Sequence, residues 1–229
     1  MTVDDPGGRS GEGPRPLDRP RSRASSRDLE RYAGLFAART RNMRSSAMRD
    51  LMALTQRPDV ISLAGGLPDT SLFPAEDLAK LLSVVAAENS ARALQYAPTE
   101  GLAEVKEAIR EVLRAEGDDA DPEDVLVTTG GQQVIDLVCK ILVDPGDVVV
   151  AEAPTYPGAV PAFAAYEADV VQIAMDADGM RIDELEATLD ALAAAGRSPK
   201  FIYTIPNFQN PAGVTLSLPR RRRLVAVAR

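Results

Sequence analysis

Residues 201–213 read FIYTIPNFQNPAG, and this stretch decides the fold more than any other part of the chain. Its apolar residues 201–205 predict a buried strand, and a loop fixed by prolines follows it. Because Pro211 restricts the backbone of the residue before it, we expect the side-chain amide of Asn210 to point inward as a hydrogen-bond donor. The Asn210–Pro211 bond is also a candidate for a cis peptide. The alternative interpretation is an ordinary Asn-Pro turn without a ligand.

The composition predicts a folded protein that does not bind nucleic acid. With 229 residues, 45% of them hydrophobic and 26% charged, the chain can bury a sizeable core. Its formal net charge of −8 opposes nucleic-acid binding, which needs an excess of Lys and Arg to neutralise phosphates. We interpret the Arg-rich segment 9–49 as a solvated tail and helix face rather than an RNA- or membrane-binding arm.

The titratable residues exclude several kinds of active site. The sequence has no His, which excludes Ser-His and Cys-His nucleophiles and the commonest zinc ligand, so we expect no metal site. The single cysteine, Cys139, cannot form an internal disulfide, which fits a reducing compartment. No window approaches the roughly 20 apolar residues that span a bilayer, and the N-terminus lacks the apolar centre of a signal peptide. We therefore expect a cytoplasmic protein with no membrane contact.

The hydrophobic pattern divides the chain into three parts. Residues 1–27 have almost no apolar side chains and predict a disordered tail. Residues 28–74 predict two amphipathic helices and then an extended arm rich in Gly and Pro. From residue 75 onward helices alternate with short apolar strands, which predicts an α/β fold with a mostly parallel sheet. The predicted helices are 75–88, 102–116, 132–142, 156–166, 182–195 and 218 onward, and the predicted strands are 125–129, 148–151, 170–173 and 201–205.

Two further motifs follow predicted strands. Gly130 and Gly131 lie between a strand and a helix that opens at Gln132, an arrangement that directs free backbone N–H groups and the helix dipole at an anion such as phosphate. The alternative is a tight turn. Tyr156 lies between two prolines after the next strand, where its ring can stack on a flat heteroaromatic ligand. The alternative is a half-buried aromatic that covers the core.

Taken together, these motifs support a ligand-binding site more strongly than any one of them alone. In an open parallel sheet, ligands bind at the carboxyl ends of the strands, where an anion site, a stacking ring and an amide would meet. Tyr96, in LQYAPTEG, precedes a turn into another helix and alone would be an ordinary core or surface residue.

Four ordered motifs resemble the class I/II aminotransferases of pyridoxal phosphate (PLP) fold type I, and most of all the aminoadipate, aromatic and kynurenine aminotransferases. They are ISLAGGLPDTSLFP, LQYAPTEGLAEVKEAIRE, TTGGQQVIDLVCKILVDPGDVVVAEAPTYPGAV and TIPNFQNPAGVTLSLPRRRR. The resemblance extends from about residue 29 to the end. It implies a PLP-binding large domain, here residues 75–229, with a mostly parallel mixed sheet that is incomplete at its C-terminus. Residues 28–74 would belong to a small domain, and the complete protein would be a homodimer.

The resemblance also implies roles for individual residues. Gly131 and Gln132 would hold the phosphate of the cofactor, Tyr156 would stack on its pyridine ring, and Asn210 would donate to its ring oxygen. Tyr96 would reach the phosphate of the cofactor in the neighbouring subunit, and Gly66 would contact the substrate carboxylate. Many relatives have Gly-Ser-Gln where this chain has Gly130, Gly131 and Gln132, so a hydroxyl contact to the phosphate is missing here.

The resemblance places the Schiff-base lysine of the family in a later motif that this chain does not contain, so we expect that lysine to be absent from the chain and assign no catalytic residue. The lysines present, in helical or strand-entry positions unlike the family motif, are Lys80, Lys106, Lys140 and Lys200. We therefore expect the N-terminal portion of an aminotransferase that moves an amino group from an amino acid to a 2-oxo acid, inactive by itself. The alternatives are a non-catalytic binding or dimerisation protein, the aminotransferase-like part of a transcription regulator, and an unrelated α/β phosphate-binding module.

Overall fold

The computed structural model describes residues 32–42, 60 and 68–229. The chain forms two compact units, residues 1–38 and 39–229. In the described part of the first unit, Ala33–Leu35 is a single 3-10 turn. A second 3-10 helix, Ala38–Asn42, begins at the last residue of the first unit, and its other residues belong to the second. The predicted amphipathic α-helix of this region is therefore wrong where it can be compared. Leu35 and Phe36 are 81% and 56% exposed, so the apolar packing that stabilises such a helix is missing.

The rest of the arm lies mostly outside the described residues. The predicted tail 1–27 and the second predicted helix are outside them, and so is the segment that carries Gly66. A 3-10 turn at Thr70–Leu72 is capped by Asp69, whose carboxylate accepts from the backbone N–H of Ser71 at 2.9 Å.

From residue 148 onward helices alternate with strands, as the sequence predicts, whereas the four α-helices between residues 75 and 142 follow one another without a strand between them. The α-helices are α1 (Ala75–Glu88), α2 (Ser90–Ala93), α3 (Ala103–Ala115), α4 (Gly130–Leu142), α5 (Ala159–Ala165), α6 (Ile182–Ala194) and α7 (Leu218–Val227). The strands are β1 (Val148–Ala153), β2 (Asp169–Asp176), β3 (Gly179–Met180) and β4 (Pro199–Tyr203). No helix in the described part of the chain is both long and apolar enough to cross a membrane.

The sheet has the order β3-β2-β1-β4 and is mixed. The central strand β1 runs parallel to both neighbours, pairing Val150 with Val171 on one side and with Ile202 on the other. Only the two-residue strand β3 is antiparallel, to β2. Because β1 and β4 are parallel, the loops that follow them leave the sheet at the same edge.

Helices cover both faces of β1, and this explains its uninterrupted apolar run. Val148 and Val150 pack on one side with residues of α6, such as Leu185, and of α7. Val149 packs on the other side with Cys139 of α4 and with residues of α5. The resulting three layers fix β1 and the start of the loop after it.

Several predicted elements differ from the structure, and two of them bear on the site. Residues 125–129 are not a strand: the backbone N–H of Val127 donates to Glu100 O at 3.0 Å, but no described strand lies beside the segment to form a ladder. Helix α5 begins at Ala159, three residues later than expected, because residues 154–158 form the proline-containing loop that leads into it.

Candidate functional site

Helix α4 begins at Gly130, two residues before the predicted start, and its first turn contains the predicted anion site. The first N–H groups of an α-helix have no partner within the helix, and they lie at its positive end. These groups include the backbone N–H of Gly131 and Gln132. Just before the helix, the backbone N–H of Thr129 donates to Gln133 Oε1 at 2.5 Å, and this bond holds the turn that precedes the helix.

The structure brings Gln132 and Tyr156 together through Gly158. The side-chain amide of Gln132 donates from Nε2 to Gly158 O at 2.9 Å, a contact across 26 residues. A Cβ atom on Gly158 would lie 2.5 Å from Cε1 of Tyr156 and 2.8 Å from Oε1 of Gln132. The Tyr156 ring and the Gln132 side chain therefore lie against this glycine. The bond to Gly158 uses one of the two N–H groups of the Gln132 amide, and the backbone N–H of Gln132 remains available to an anion at the helix start.

Thr155, next to Tyr156, has a buried hydroxyl that lacks a partner. Thr155 is 7% exposed, and its Oγ1 has no hydrogen-bond partner among the described residues. Buried polar atoms in folded proteins nearly always have a partner, which marks this position for a ligand or a water molecule.

The loop after β4 is closed on itself and tied to helix α7. Leu216 N–H donates to Pro206 O at 2.9 Å, and Gln209 N–H donates to Val214 O at 2.8 Å. The guanidinium of Arg221 on α7 donates to Pro206 O at 2.8 Å and to Asn207 Oδ1 at 2.5 Å. The side chain of Asn207 therefore stabilises the base of the loop through its contact with α7.

The predicted donor Asn210 is half-buried near the tip of the same loop. The Asn210–Pro211 peptide bond is cis, as the sequence hypothesis allows, and so is the Ala153–Pro154 bond on the facing loop. Among the hydrogen bonds of this loop with described residues, none involves the side chain of Asn210.

A buried carboxyl and a buried amide join the two loops, and neither belongs to the residues that the sequence motifs single out. Glu152 at the end of β1 is 1% exposed, and Gln209 beside Asn210 is 2% exposed. Gln209 Nε2 donates to Glu152 Oε2 at 3.1 Å and to Pro154 O at 2.9 Å. The loop of Tyr156 is thereby held against the loop of Asn210. A single charged residue inside the apolar run VVVAEA is the signal that points to Glu152.

Tyr203 ends β4 below the same loops. Burial raises the pKa of its hydroxyl, and the nearby Tyr156 and Glu152 raise it further. Its ring packs edge-on against Phe163 of α5, with ring centroids 5.5 Å apart. The neutral hydroxyl of Tyr203 therefore belongs to the wall beneath the Tyr156 loop.

Tyr96 and the lysines Lys80 and Lys200 take no part in the hydrogen bonds that join these loops. Tyr96 lies in the loop between α2 and α3 and is fully exposed. Gly66 lies outside the described residues. Among the lysines, Lys200 pairs with Asp147 at 3.3 Å, at the amino end of β4 and β1, and Lys80 pairs with Asp77 on the exposed surface of α1.

Comparisons with known proteins agree with this geometry. A family model described as aminotransferase class I and II matches residues 58–229. The chain is 42% identical over 206 residues to aromatic-amino-acid aminotransferase 1 of Thermococcus litoralis, which covers 90% of this chain and 49% of that protein. It is 40% identical over 194 residues to 2-aminoadipate transaminase of Thermus thermophilus, covering 85% of this chain and 46% of that protein.

A solved structure shows the same likeness. Pyrococcus horikoshii kynurenine aminotransferase, in complex with PMP, is 40% identical and matches with a TM-score of 0.80, covering 88% of this chain and 49% of that one. The chain thus spans about half the length of the relatives that it matches. The likeness confirms the predicted fold type for the part that is present.

Proposed function

The chain belongs to the aminotransferase class I and II family, and we propose that it forms the cofactor-binding part of an enzyme that transfers an amino group from an amino acid to a 2-oxo acid. The cofactor of this family is PLP. One observation carries the proposal: the hydrogen bonds from Gln132 to Gly158 and from Gln209 to Pro154 assemble a helix start and two strand-end loops at one edge of the sheet. That edge is where an open α/β sheet binds ligands.

The residues present fit a phosphorylated pyridine. The start of α4 offers backbone N–H donors and a positive dipole end, which suit a phosphate. The orphaned hydroxyl of Thr155 lies beside Tyr156, where a polar ligand atom would complete its hydrogen bonding. Because Gly158 lacks a side chain, the Tyr156 ring can lie close to the helix start.

Gly131 and Gln132 would bind the phosphate through backbone N–H groups. Since Gly131 stands where many relatives have Ser, the binding rests on backbone donors and the helix dipole. The Gln132 side chain has a separate task, because its bond to Gly158 orients the loop of Tyr156.

Tyr156 and Asn210 would orient the ring. Tyr156 would stack on the pyridine face, an arrangement worth about 0.5–1.5 kcal/mol beyond simple burial. Asn210 would donate its amide to the ring oxygen. Both side chains are half-buried on loops that the Glu152–Gln209 contact joins, so they can act on one planar ligand and exclude water from its faces.

When bound, PLP supplies an electron sink for the negative charge that develops at the α-carbon of the amino acid. The reaction also requires a lysine that moves a proton at that carbon. We propose that this lysine lies outside these 229 residues. Lys200, the lysine of β4, is engaged with Asp147 at the opposite end of the strand, which supports the proposal.

The complete enzyme would be a cytoplasmic homodimer in amino acid metabolism. Full exposure of Tyr96 is consistent with a role toward the cofactor of the neighbouring subunit. Gly66 would contact the substrate carboxylate. The similar proteins named for aromatic amino acids, 2-aminoadipate and kynurenine suggest large amino acids as substrates.

A second candidate function is a non-catalytic protein that uses the same fold for binding or dimerisation. The engagement of Lys80 and Lys200 in ion pairs away from the site favours it for the chain by itself. It predicts cofactor binding without amino transfer.

The two functions separate in one experiment. The protein encoded by the complete reading frame is incubated with PLP, a nitrogen-15-labelled aromatic or 2-aminoadipate donor, and 2-oxoglutarate. Labelled glutamate, detected by mass spectrometry, is expected if the protein is an aminotransferase. Binding of PLP without labelled glutamate would refute the enzyme and leave the non-catalytic function.

A further inference from the structure

Glu152 is a buried acidic side chain, and within the described part of the chain its hydrogen-bond donors belong to the segment that leaves β4. Its Oε1 accepts from the hydroxyl of Thr204 at 2.5 Å, and its Oε2 accepts from the backbone N–H of Ile205 at 3.2 Å. The third donor is Gln209, at 3.1 Å. The carboxyl therefore accepts on both oxygens and connects the end of β1 to the chain leaving β4.

Gln209 uses every polar group that it has. Its Nε2 donates to Glu152 and Pro154, and its Oε1 accepts from Ala212 N–H at 2.8 Å. Its backbone N–H donates to Val214 O, and its backbone carbonyl accepts from Gly213. One side chain thus sets the curvature of its own loop and also the separation between that loop and the loop after β1.

We propose that Glu152 and Gln209 are positioning residues of the cofactor site, which hold the Tyr156 loop and the Asn210 loop at a fixed separation. Gln209 directly precedes Asn210, and the acceptor Pro154 lies two residues before Tyr156. A change at this pair therefore moves the stacking ring and the amide donor relative to one another. Neither positioning residue needs to touch the cofactor.

The geometry predicts a distinctive order of variants. Gln209→Glu places an acceptor against two acceptors, Glu152 Oε2 and Pro154 O. Glu152→Gln is milder, because its amide oxygen can accept from Ile205 and Gln209 while its amide nitrogen donates to Thr204, whose hydroxyl also accepts. In the double variant Glu152→Gln with Gln209→Glu, the amide of residue 152 can turn so that it donates to the new carboxyl and still accepts from Thr204. The backbone N–H of Ile205 and the carbonyl of Pro154 then lose their partners, so the rescue is partial.

Two measurements on the full 229-residue chain test the inference. Hydrogen exchange followed by mass spectrometry reports the opening of residues 204–216, and equilibrium dialysis reports the affinity for pyridoxamine 5′-phosphate, which has no aldehyde to react with surface lysines. Gln209→Met, which removes the hydrogen-bonding groups at similar length, is a second disruptive variant. Glu111→Gln, on the exposed surface of α3, is the matched control.

We expect Gln209→Glu and Gln209→Met to speed exchange in residues 204–216 and to weaken binding, each at least tenfold. Glu152→Gln should weaken binding by about threefold. The double variant should lose less than Gln209→Glu does, in both exchange and binding. Recovery in both readouts distinguishes positioning from simple loss of packing. A double variant as impaired as Gln209→Glu, or unchanged exchange in all variants, would overturn the inference.

The binding arm rests on the proposed function, whereas the exchange arm does not. If the unaltered chain fails to bind pyridoxamine 5′-phosphate, the proposed cofactor site is wrong. The exchange rates then still decide whether Glu152 and Gln209 hold the two loops together.

Discussion

The contact between Tyr156 and Gly158 leads to a specific prediction: Gly158→Ala should displace the Tyr156 ring and weaken cofactor binding. The added Cβ would lie 2.5 Å and 2.7 Å from Cε1 and Cζ of the ring. The backbone itself tolerates alanine, because Gly158 has φ −77° and ψ −24°, in the right-handed helical region. Only the space for the methyl group is missing.

The size of the effect follows from the shortfall in distance. The shortest contact is about 0.9 Å below the roughly 3.4 Å of ordinary carbon contact, so the ring or the loop must move by nearly that amount. Overpacking of this kind costs about 1–3 kcal/mol. If this free energy must be spent to bring the ring into its ligand-binding position, the affinity falls by about fivefold to 150-fold.

Equilibrium dialysis against pyridoxamine 5′-phosphate measures this loss. Gly34→Ala is the matched control, because it adds the same methyl group where nothing lies within 4 Å. Urea unfolding of each variant shows whether the chain remains folded. An affinity of Gly158→Ala within twofold of that of the unaltered chain would refute the argument that Tyr156 lies against the ligand.

Two further predictions concern stability. Phe163 is 1% exposed and packs on Phe201 and Tyr203, so Phe163→Ala should lower the free energy of unfolding by about 3–5 kcal/mol, whereas Phe208→Ala, at an 81% exposed position, should change it by less than about 0.5 kcal/mol. Urea midpoints check this, and equal midpoints would contradict the assignment of the core. The second prediction concerns Asp176, which binds Arg220 at 2.6 and 2.7 Å. Mainly because of Arg220, and then of the Asp178 backbone N–H, its pKa falls from 3.8 to about 2. A depressed pKa stabilises the fold above pH 3.8 and loses this effect as the pH falls toward 2. The stability difference between the unaltered chain and Asp176→Asn should therefore shrink over that range in urea titrations, and a difference that grows with acidity would contradict the pairing.

Periodicity predicted most of the second unit because helices and buried strands leave local patterns. Helix α1 begins and ends where its apolar spacing indicates, and the strands around Val150 and Ile202 are short apolar runs. The failures among the strands concern pairing, which is not local. Residues 125–129 have strand-like composition, but a strand requires a neighbour, and β3 is too short, at two residues, to show any alternation.

The contacts within the candidate site could be predicted only in part, for the same reason. Prolines and glycines indicated the loops that carry Tyr156 and Asn210, because proline and glycine determine the local backbone conformation. The bond from Gln132 to Gly158 and the bond from Gln209 to Glu152 join residues 26 and 57 positions apart. No spacing rule connects such pairs, and only the folded sheet shows that they meet.

The central claim, that this chain provides the PLP site of an aminotransferase, is tested most directly by nuclear magnetic resonance of the labelled chain titrated with pyridoxamine 5′-phosphate. The account predicts saturable shifts of the backbone amides of Gly131 and Gln132 and of the side-chain amide of Asn210, and much weaker shifts with pyridoxamine, which lacks the phosphate. Shifts confined to another surface, such as the groove of about 740 Å³ between α6, α7 and β4, would contradict it. The absence of saturable shifts would contradict it equally.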